Sequence, residues 1–544
     1  MQKRSKRFLD STSGNFAIGA SVLAVPLIFA AGLMVDMTTV SHSQNELQQA
    51  MDAAVLAVAR EGENLSDKQA NDIARTYIQE NYNLVFGNLK VIREGTKVTV
   101  DATAETPTAF GGLLGYSNWT VEARSAADVA FASYEVALVL DTTGSMAGGK
   151  LTAMKDAVDG MIQSMTAQIQ NKERLKFSLV PFATFVNVGP EHGPKFDKSG
   201  KQIAGTGAPW LDLNGESPLP QTELSPGASR FQLYENMGKS WPGCVETRYR
   251  GSKDYDVSDM AADPSKPETL FVPAFSIDEP DEGYANSYIT AKVDPLDMSV
   301  AAKKEKWSKY GVKTNDKGEP LLGGLLDGIT GLVGLGGSDP KLKKVKIDDG
   351  PSIYAGMNKG PDFFCDTQPI TALSNNYPDL RSKVKALEAK GNTNIMEGVA
   401  WGTRVLSPGE PFGQAQPKSK SGIEKIMVVL TDGSNTLGVN SRDLGSEYSS
   451  VGYLVDGRLG TLTPSGAATN TAMNERTLAA CDYAKKEGIE IYTIRLEEPD
   501  VKTGTMLQQC ATSPAHFFDA PSRAQLDEVF EEIRERVVRL RLAS

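Results

Sequence analysis

From Ser11 to Val35 the chain runs 25 residues without a charge, and its apolar heart, Phe16 to Val35, is 20 residues long. At 1.5 Å per helical residue that heart spans about 30 Å, the thickness of a bilayer's hydrocarbon core. Pro26 lies mid-span, where a membrane helix tolerates proline better than a soluble one does. Lys3, Arg4, Lys6 and Arg7 precede the span and nothing comparable follows it closely, so the positive-inside rule predicts a cytoplasmic N-terminus and export of everything downstream. A cleaved signal peptide is the competing reading, and Ala30-Ala31-Gly32 offers it a small-residue site. Leu33, Met34 and Val35 carry the apolar run past that site, and Leu47, Met51, Ala54, Val55 and Val58 continue at helical period. The expectation is an uncleaved single-pass anchor over residues 1–41. A second apolar stretch, Pro320 to Gly337, holds seven glycines and Asp327 and reads as a loop.

Charge and composition narrow what an exported domain here does. The formal charge is −11, the wrong sign for a phosphate backbone, which argues against nucleic acid. Three histidines, His42, His192 and His516, give little material for a zinc enzyme or a His-based triad. The four cysteines, Cys244, Cys365, Cys481 and Cys510, form no C-x-x-C pair, and their even number in an exported chain suggests two disulfides. Of the three connectivities the local one is favoured, Cys244–Cys365 and Cys481–Cys510.

Past the anchor, residues 42–132 read as a small helix-plus-sheet module. A helical stretch from Ser66 to Tyr82 gives way to period two, with Val98, Val100 and Ala102 alternating against Thr99, Asp101 and Thr103, and Glu94-Gly95 marks a hairpin turn. Another strand-like run covers Trp119 to Phe131.

From residue 134 the rhythm is that of alternating buried strands and amphipathic helices. Val136–Leu140, Leu175–Val186, Ile426–Leu430 and Ile489–Leu496 read as strands buried on both faces. Between them fall a helix with apolar Leu151, Met154, Val158, Met161, Ile162 and Met165, a helix near Glu475–Glu487, and a last helix introduced by Ser522 and Gln525. The fold class is α/β, a doubly wound, mostly parallel sheet over 134–544. Stretches 189–379 and 434–473 lack the rhythm and read as loop insertions, the first stapled by Cys244–Cys365.

In such a sheet ligands sit beyond the carboxyl ends of the strands. Asp141, Thr143 and Ser145 follow one strand, Asp432 follows another, and Thr393 lies in the loop Gly391-Asn392-Thr393-Asn394. Oxygen-only donors suit a hard divalent cation, Mg²⁺ first, with Mn²⁺ or Ca²⁺ as alternatives. The bland reading of Asp141–Met146 is an ordinary strand-to-helix turn with Thr143 or Ser145 as a cap. Elsewhere, Asp254–Asp259 starts like a calcium loop but has Asp259 where the glycine belongs and Ser265 where the glutamate belongs, so a solvated acidic loop is expected. His516 is expected to be structural.

Asp141-Thr142-Thr143-Gly144-Ser145-Met146 between strand and helix, then Gly391–Asn394, then Val428-Val429-Leu430-Thr431-Asp432-Gly433, resembles the von Willebrand factor A domain with its metal-ion-dependent adhesion site. The resemblance implies that Thr143, Ser145 and Thr393 offer hydroxyls to the ion, while Asp141 and Asp432 act directly or through water. It also implies adhesion to a protein partner that offers an Asp or Glu carboxylate, and no catalysis. Thr143 stands where the family more often has Ser, and it keeps the hydroxyl. The N-terminal region, Gly14-Asn15-Phe16-Ala17, the proline-containing span, Asp36 and Leu47–Ala54, is similar to TadG-like proteins of bacterial Flp (tight adherence) pilus assembly. That implies an inner-membrane anchor, a periplasmic domain and pilus-assembly components as partners. Ala17 to Ser21 lack the glutamate of processed pilins, so prepilin cleavage is not expected. A pseudopilin-like or surface-displayed adhesin subunit is the rival reading, and a metal-dependent hydrolase or chelatase-type subunit a weaker one.

Overall fold

The computed structural model describes residues 15–60, 65–94, 97–128, 133–169, 171–224, 228–248, 256–280, 283–290, 292–321, 344–354, 356–420, 422–520 and 522–538. The basic head, Gly14, Gly95, Asp254, Tyr255 and most of the glycine-rich stretch 320–337 lie outside them. The chain divides into two compact units with the boundary between residues 131 and 132.

In the first unit the apolar span and the periodic stretch after it are one continuous helix, α1 (Asn15–Arg60), with Pro26 inside it. Its first half exposes Leu23, Leu27 and Ile28, while Leu47, Met51, Ala54, Val55 and Val58 are buried. The periodic stripe therefore begins twelve residues beyond the end of the uncharged span. Helix α2 (Asp67–Asn81) opens on a capping box in which Ser66 and Gln69 satisfy each other's backbone N–H groups. Strands β1 (Phe86–Glu94), β2 (Lys97–Pro107) and β3 (Asn118–Asp128) form an antiparallel meander. The alternation at Val98, Val100, Ala102 and Ala104 places one face of β2 on the two helices.

In the second unit a six-stranded sheet is built from β4 (Ser133–Asp141), β5 (Leu175–Phe182), β6 (Thr371–Ser374), β7 (Ile423–Thr431), β8 (Glu490–Leu496) and β9 (Phe517–Ala520), in the spatial order β9-β8-β7-β4-β5-β6. All neighbours pair in parallel except the edge strand β6, which is antiparallel to β5. Helices α3 (Gly149–Gln168), α4 (Tyr377–Ala386) and α8 (Leu526–Val538) cover the face bearing Val136, Leu138 and Leu140. Helices α5 (Ile395–Val405), α6 (Gly466–Lys486) and α7 (Val501–Cys510) lie with the opposite face, which bears Ala137 and Val139. Every residue of α5 is buried, and Gly398 and Gly402 let it approach the sheet closely: a Cβ on either would fall within 3 Å of Val139.

Two element boundaries differ from the sequence reading. Strand β6 and the start of α4 fall within 189–379, and α6 begins inside 434–473. A four-residue edge strand paired on one side carries too little pattern to be seen in sequence. The 189–370 region contains short helices Arg230–Asn236 and Val300–Lys309, but its core is contiguous with the apolar core on the Val139 face of the sheet. Buried ion pairs tie it in: Glu246 accepts from Arg230 (2.6 Å) and from Arg458 (2.5 Å), the latter in the second insertion. Cys244–Cys365 and Cys481–Cys510 are both paired. The described part of the acidic loop expected to be solvated, Asp256–Asp259, is buried or half-buried. Asp256 is buried and pairs with Arg248 at 2.5 Å and Arg404 at 3.3 Å, while Asp259 accepts hydrogen bonds from Ser407 and Tyr483. His516 bridges Ser513 and Glu490, each at 2.7 Å, a structural role.

Candidate metal centre

Strands β4 and β7 are neighbours in the sheet, yet the chain leaves them toward opposite edges, which makes the gap beyond their carboxyl ends the topological switch point. Asp141 ends β4 and Asp432 directly follows β7. The loop 391–394 reaches the same place because Gly391 adopts φ +80° and its carbonyl accepts the Gly144 N–H at 3.0 Å.

The five expected residues converge. Asp141 Oδ1 accepts from the Thr143 N–H at 2.8 Å and from Thr143 Oγ1 at 2.6 Å. Thr143 Oγ1 lies 3.1 Å from Ser145 Oγ and 3.3 Å from Thr393 Oγ1. Ser145 Oγ donates to Asp432 Oδ1 at 2.6 Å. Asp141, Thr143, Thr393 and Asp432 are buried, and Ser145 is exposed, so the cluster opens to solvent on one side.

Two residues that sequence reasoning passed over complete the cluster. Thr431 Oγ1 donates to Asp141 Oδ2 at 2.6 Å, fixing the carboxylate that holds Thr143. Lys150 Nζ donates to Asp432 Oδ2 at 2.7 Å. Thr431 was visible as the residue before Asp432; Lys150, on the first turn of α3, carries no signal that distinguishes it from any solvated lysine. Burial, reinforced by the negative charge of Asp432, raises the Asp141 carboxyl to about 6.

The donor set fits a small hard cation. Octahedral coordination at about 2.1 Å puts adjacent ligand oxygens about 3.0 Å apart, close to the Thr143–Ser145 and Thr143–Thr393 separations. Gly433 keeps the cradle open, since a Cβ there would stand 3.4 Å from Thr393 Oγ1 and 3.6 Å from Ser145 Oγ. Among the described residues no group of three or more His, Cys, Asp or Glu side chains is placed to hold a metal. Neutral hydroxyls would therefore make up most of any shell at this site.

Residues 14–61 match the Tad family, described as "Flp pilus-assembly TadE/G-like". No curated protein matches the chain. Among solved structures, the chain is similar to the pilus adhesin SpaC from Lactobacillus rhamnosus GG (11% identity, TM-score 0.31, 83% of this chain and 33% of that one). It is also similar to the vWF domain of the type V pili tip protein Mfa5 from Porphyromonas gingivalis (9% identity, TM-score 0.32, 76% and 98% covered). A third is the adhesive tip pilin GBS104 from Group B Streptococcus agalactiae (10% identity, TM-score 0.32, 75% and 100% covered). The chain spans about a third of the length of the SpaC structure. Residues 14–61 are thus similar to the TadE/G-like family, and the second unit carries a doubly wound, mostly parallel α/β sheet.

Proposed function

We propose that this chain is a membrane-anchored module, exposed in the periplasm, that binds a protein partner through a divalent cation during assembly of a Flp-type pilus. The observation that carries the reading is the convergence of Asp141, Thr143, Ser145, Thr393 and Asp432 at the switch point of the sheet. The TadE/G-like match over 14–61 supports the pilus-assembly setting. The apolar half of α1, long and apolar enough to cross a bilayer, supports the anchor.

When bound, a divalent cation supplies a Lewis-acidic position that a partner's carboxylate fills. Thr143, Ser145 and Thr393 would hold it through neutral hydroxyls, which leave its charge largely uncompensated and favour an anionic partner. Asp141 orients Thr143, Thr431 orients Asp141, and Asp432 orients Ser145. Among the described residues, the carboxylates beside these hydroxyls are already engaged, Asp141 by Thr143 and Thr431 and Asp432 by Ser145 and Lys150, which favours binding over activation of a water.

The test is a pull-down from membranes in Mg²⁺ or EDTA, with wild type and Asp432→Ala. Partners held in Mg²⁺ and lost with EDTA and with the variant are expected. Retention of the same partners under all three conditions would sink the reading.

A further inference from the structure

The first unit leaves a set of large apolar side chains uncovered at one end. Between the end of β2 and the start of β3 the chain runs from Thr106 to Val121 without a charged residue. A single 3₁₀ turn, Gly111–Leu114, closes at Gly115, which takes φ +91°. Around it Leu113, Leu114, Tyr116 and Trp119 are 71%, 54%, 67% and 56% exposed. Apolar residues clustered in this way mark a surface that something else covers.

The contacts of this tip with α1 say what that is. Asp36 accepts the backbone N–H groups of Ala109 (2.8 Å), Phe110 (2.9 Å) and Gly111 (2.7 Å). One helical turn earlier the Phe110 ring lies flush on the helix at Gly32, where a Cβ would stand 2.4 Å from its carbons. Gly32 is inside the uncharged stretch that ends at Val35, about 4–5 Å from its end at 1.5 Å per residue. Phe110 is therefore fixed at the level of the last turn of the apolar span, with the 3₁₀ turn directly after it.

Part of the backbone of the tip is paired internally. Thr108 N–H donates to Ser117 O (3.0 Å), Leu113 to Phe110 (3.1 Å), Gly115 to Gly112 (3.2 Å) and Tyr116 to Gly111 (2.9 Å), and Thr108 Oγ1 donates to Tyr116 O (2.5 Å). Each such pair lowers the cost of placing this backbone beside hydrocarbon, where an unpaired peptide group costs several kcal/mol. Tyr116 and Trp119 are the side chain types favoured at the headgroup level, and leucines suit the acyl boundary below it.

We infer that residues 110–119 are a membrane foot, seated in the interface of the same bilayer that α1 crosses, with lipid as the occupant of the exposed apolar tip. It gives the first unit a second attachment beside its helix and so fixes its stance on the bilayer. The inference rests on the anchored reading of α1.

Single cysteines at Leu113, Lys97 and Leu27, labelled with NBD, separate the alternatives in full-length protein reconstituted in phosphatidylethanolamine–phosphatidylglycerol vesicles. The four native cysteines are in disulfides. Lys97 is at the other end of β2, ten residues from Pro107 or roughly 33 Å at ~3.3 Å per residue. Leu27 is an exposed position within the span. Leu113→Cys is expected to show iodide quenching several-fold weaker than Lys97→Cys, and strong quenching by doxyl-labelled lipid. Equal iodide access at 113 and 97 with a protected Leu27→Cys would overturn the foot and leave the anchor standing. Iodide protection at 113 without lipid quenching would mean that a second copy covers the tip, which also overturns it. An accessible Leu27→Cys would overturn the anchor, and the foot with it.

Discussion

Ser145 Oγ donates a 2.6 Å hydrogen bond to Asp432, a residue 287 positions further along the chain. On its other oxygen Asp432 takes the Lys150 ammonium at 2.7 Å, so a tethered cation already lies against the carboxylate that completes the proposed metal centre. Asp432 has a fully buried side chain, and Asp141 is a second buried carboxylate in the same cluster.

Removing that ammonium should expose the dependence on an ion. Lys150→Met leaves Asp432 without its positive partner, a change expected to cost on the order of 3 kcal/mol in EDTA. Mg²⁺ should then stabilise the variant more than it stabilises wild type, since the ion restores the lost charge. Thermal unfolding of the detergent-solubilised chain, with EDTA or Mg²⁺, measures both. An identical Mg²⁺ response in the two proteins would remove Lys150 from the account.

Burial raises the Glu279 carboxyl to about 7, against the 2.7 Å hydrogen bond from the Asn286 N–H and with the charge of Glu447 adding to the rise. The folded state therefore holds this proton more tightly than the unfolded chain. Stability from this group is present below about pH 4.5 and is lost as pH climbs through 7, by about 3 kcal/mol. Glu279→Gln should flatten that part of the profile. Urea unfolding from pH 4.5 to 7.5 checks it, and an unchanged slope in the variant contradicts the assignment.

The two disulfides close loops of very different length, 121 and 29 residues. On the chain-entropy model, replacing Cys244 and Cys365 together by serine should cost about 5 kcal/mol, and replacing Cys481 and Cys510 about 3–4 kcal/mol. Equilibrium unfolding of the two double variants gives the order. A larger loss for the shorter loop would show that local packing, rather than loop closure, dominates.

What could be read from residue order alone was whatever depends on near neighbours. The uncharged span, the stripe on α3, the helical stretch from Ser66 and the buried run of β4 each declare themselves within one or two turns, because solvation and backbone geometry act at that range. Four of the five oxygen donors were also legible, since each follows a strand with a recognisable pattern, while Thr393 stood out only through the loop Gly391–Asn394. Their meeting was decided by the sheet: parallel pairing of β4 with β7 aligns Leu140 with Leu430 and so brings Asp141 and Asp432 to one end. Helix α5 had no legible stripe because it is enclosed on every side, and β6 was too short to show a period. Asp256 and Asp259 read as solvated because Arg404, Ser407 and Tyr483, which enclose them beside the nearer Arg248, are remote in sequence. Lys150 against Asp432, and Asp36 under the 109–111 backbone, were likewise invisible, since an ion pair or a cap across tens or hundreds of residues leaves no mark on either neighbourhood. Local chemistry chose the elements; long-range packing chose which charges would face each other.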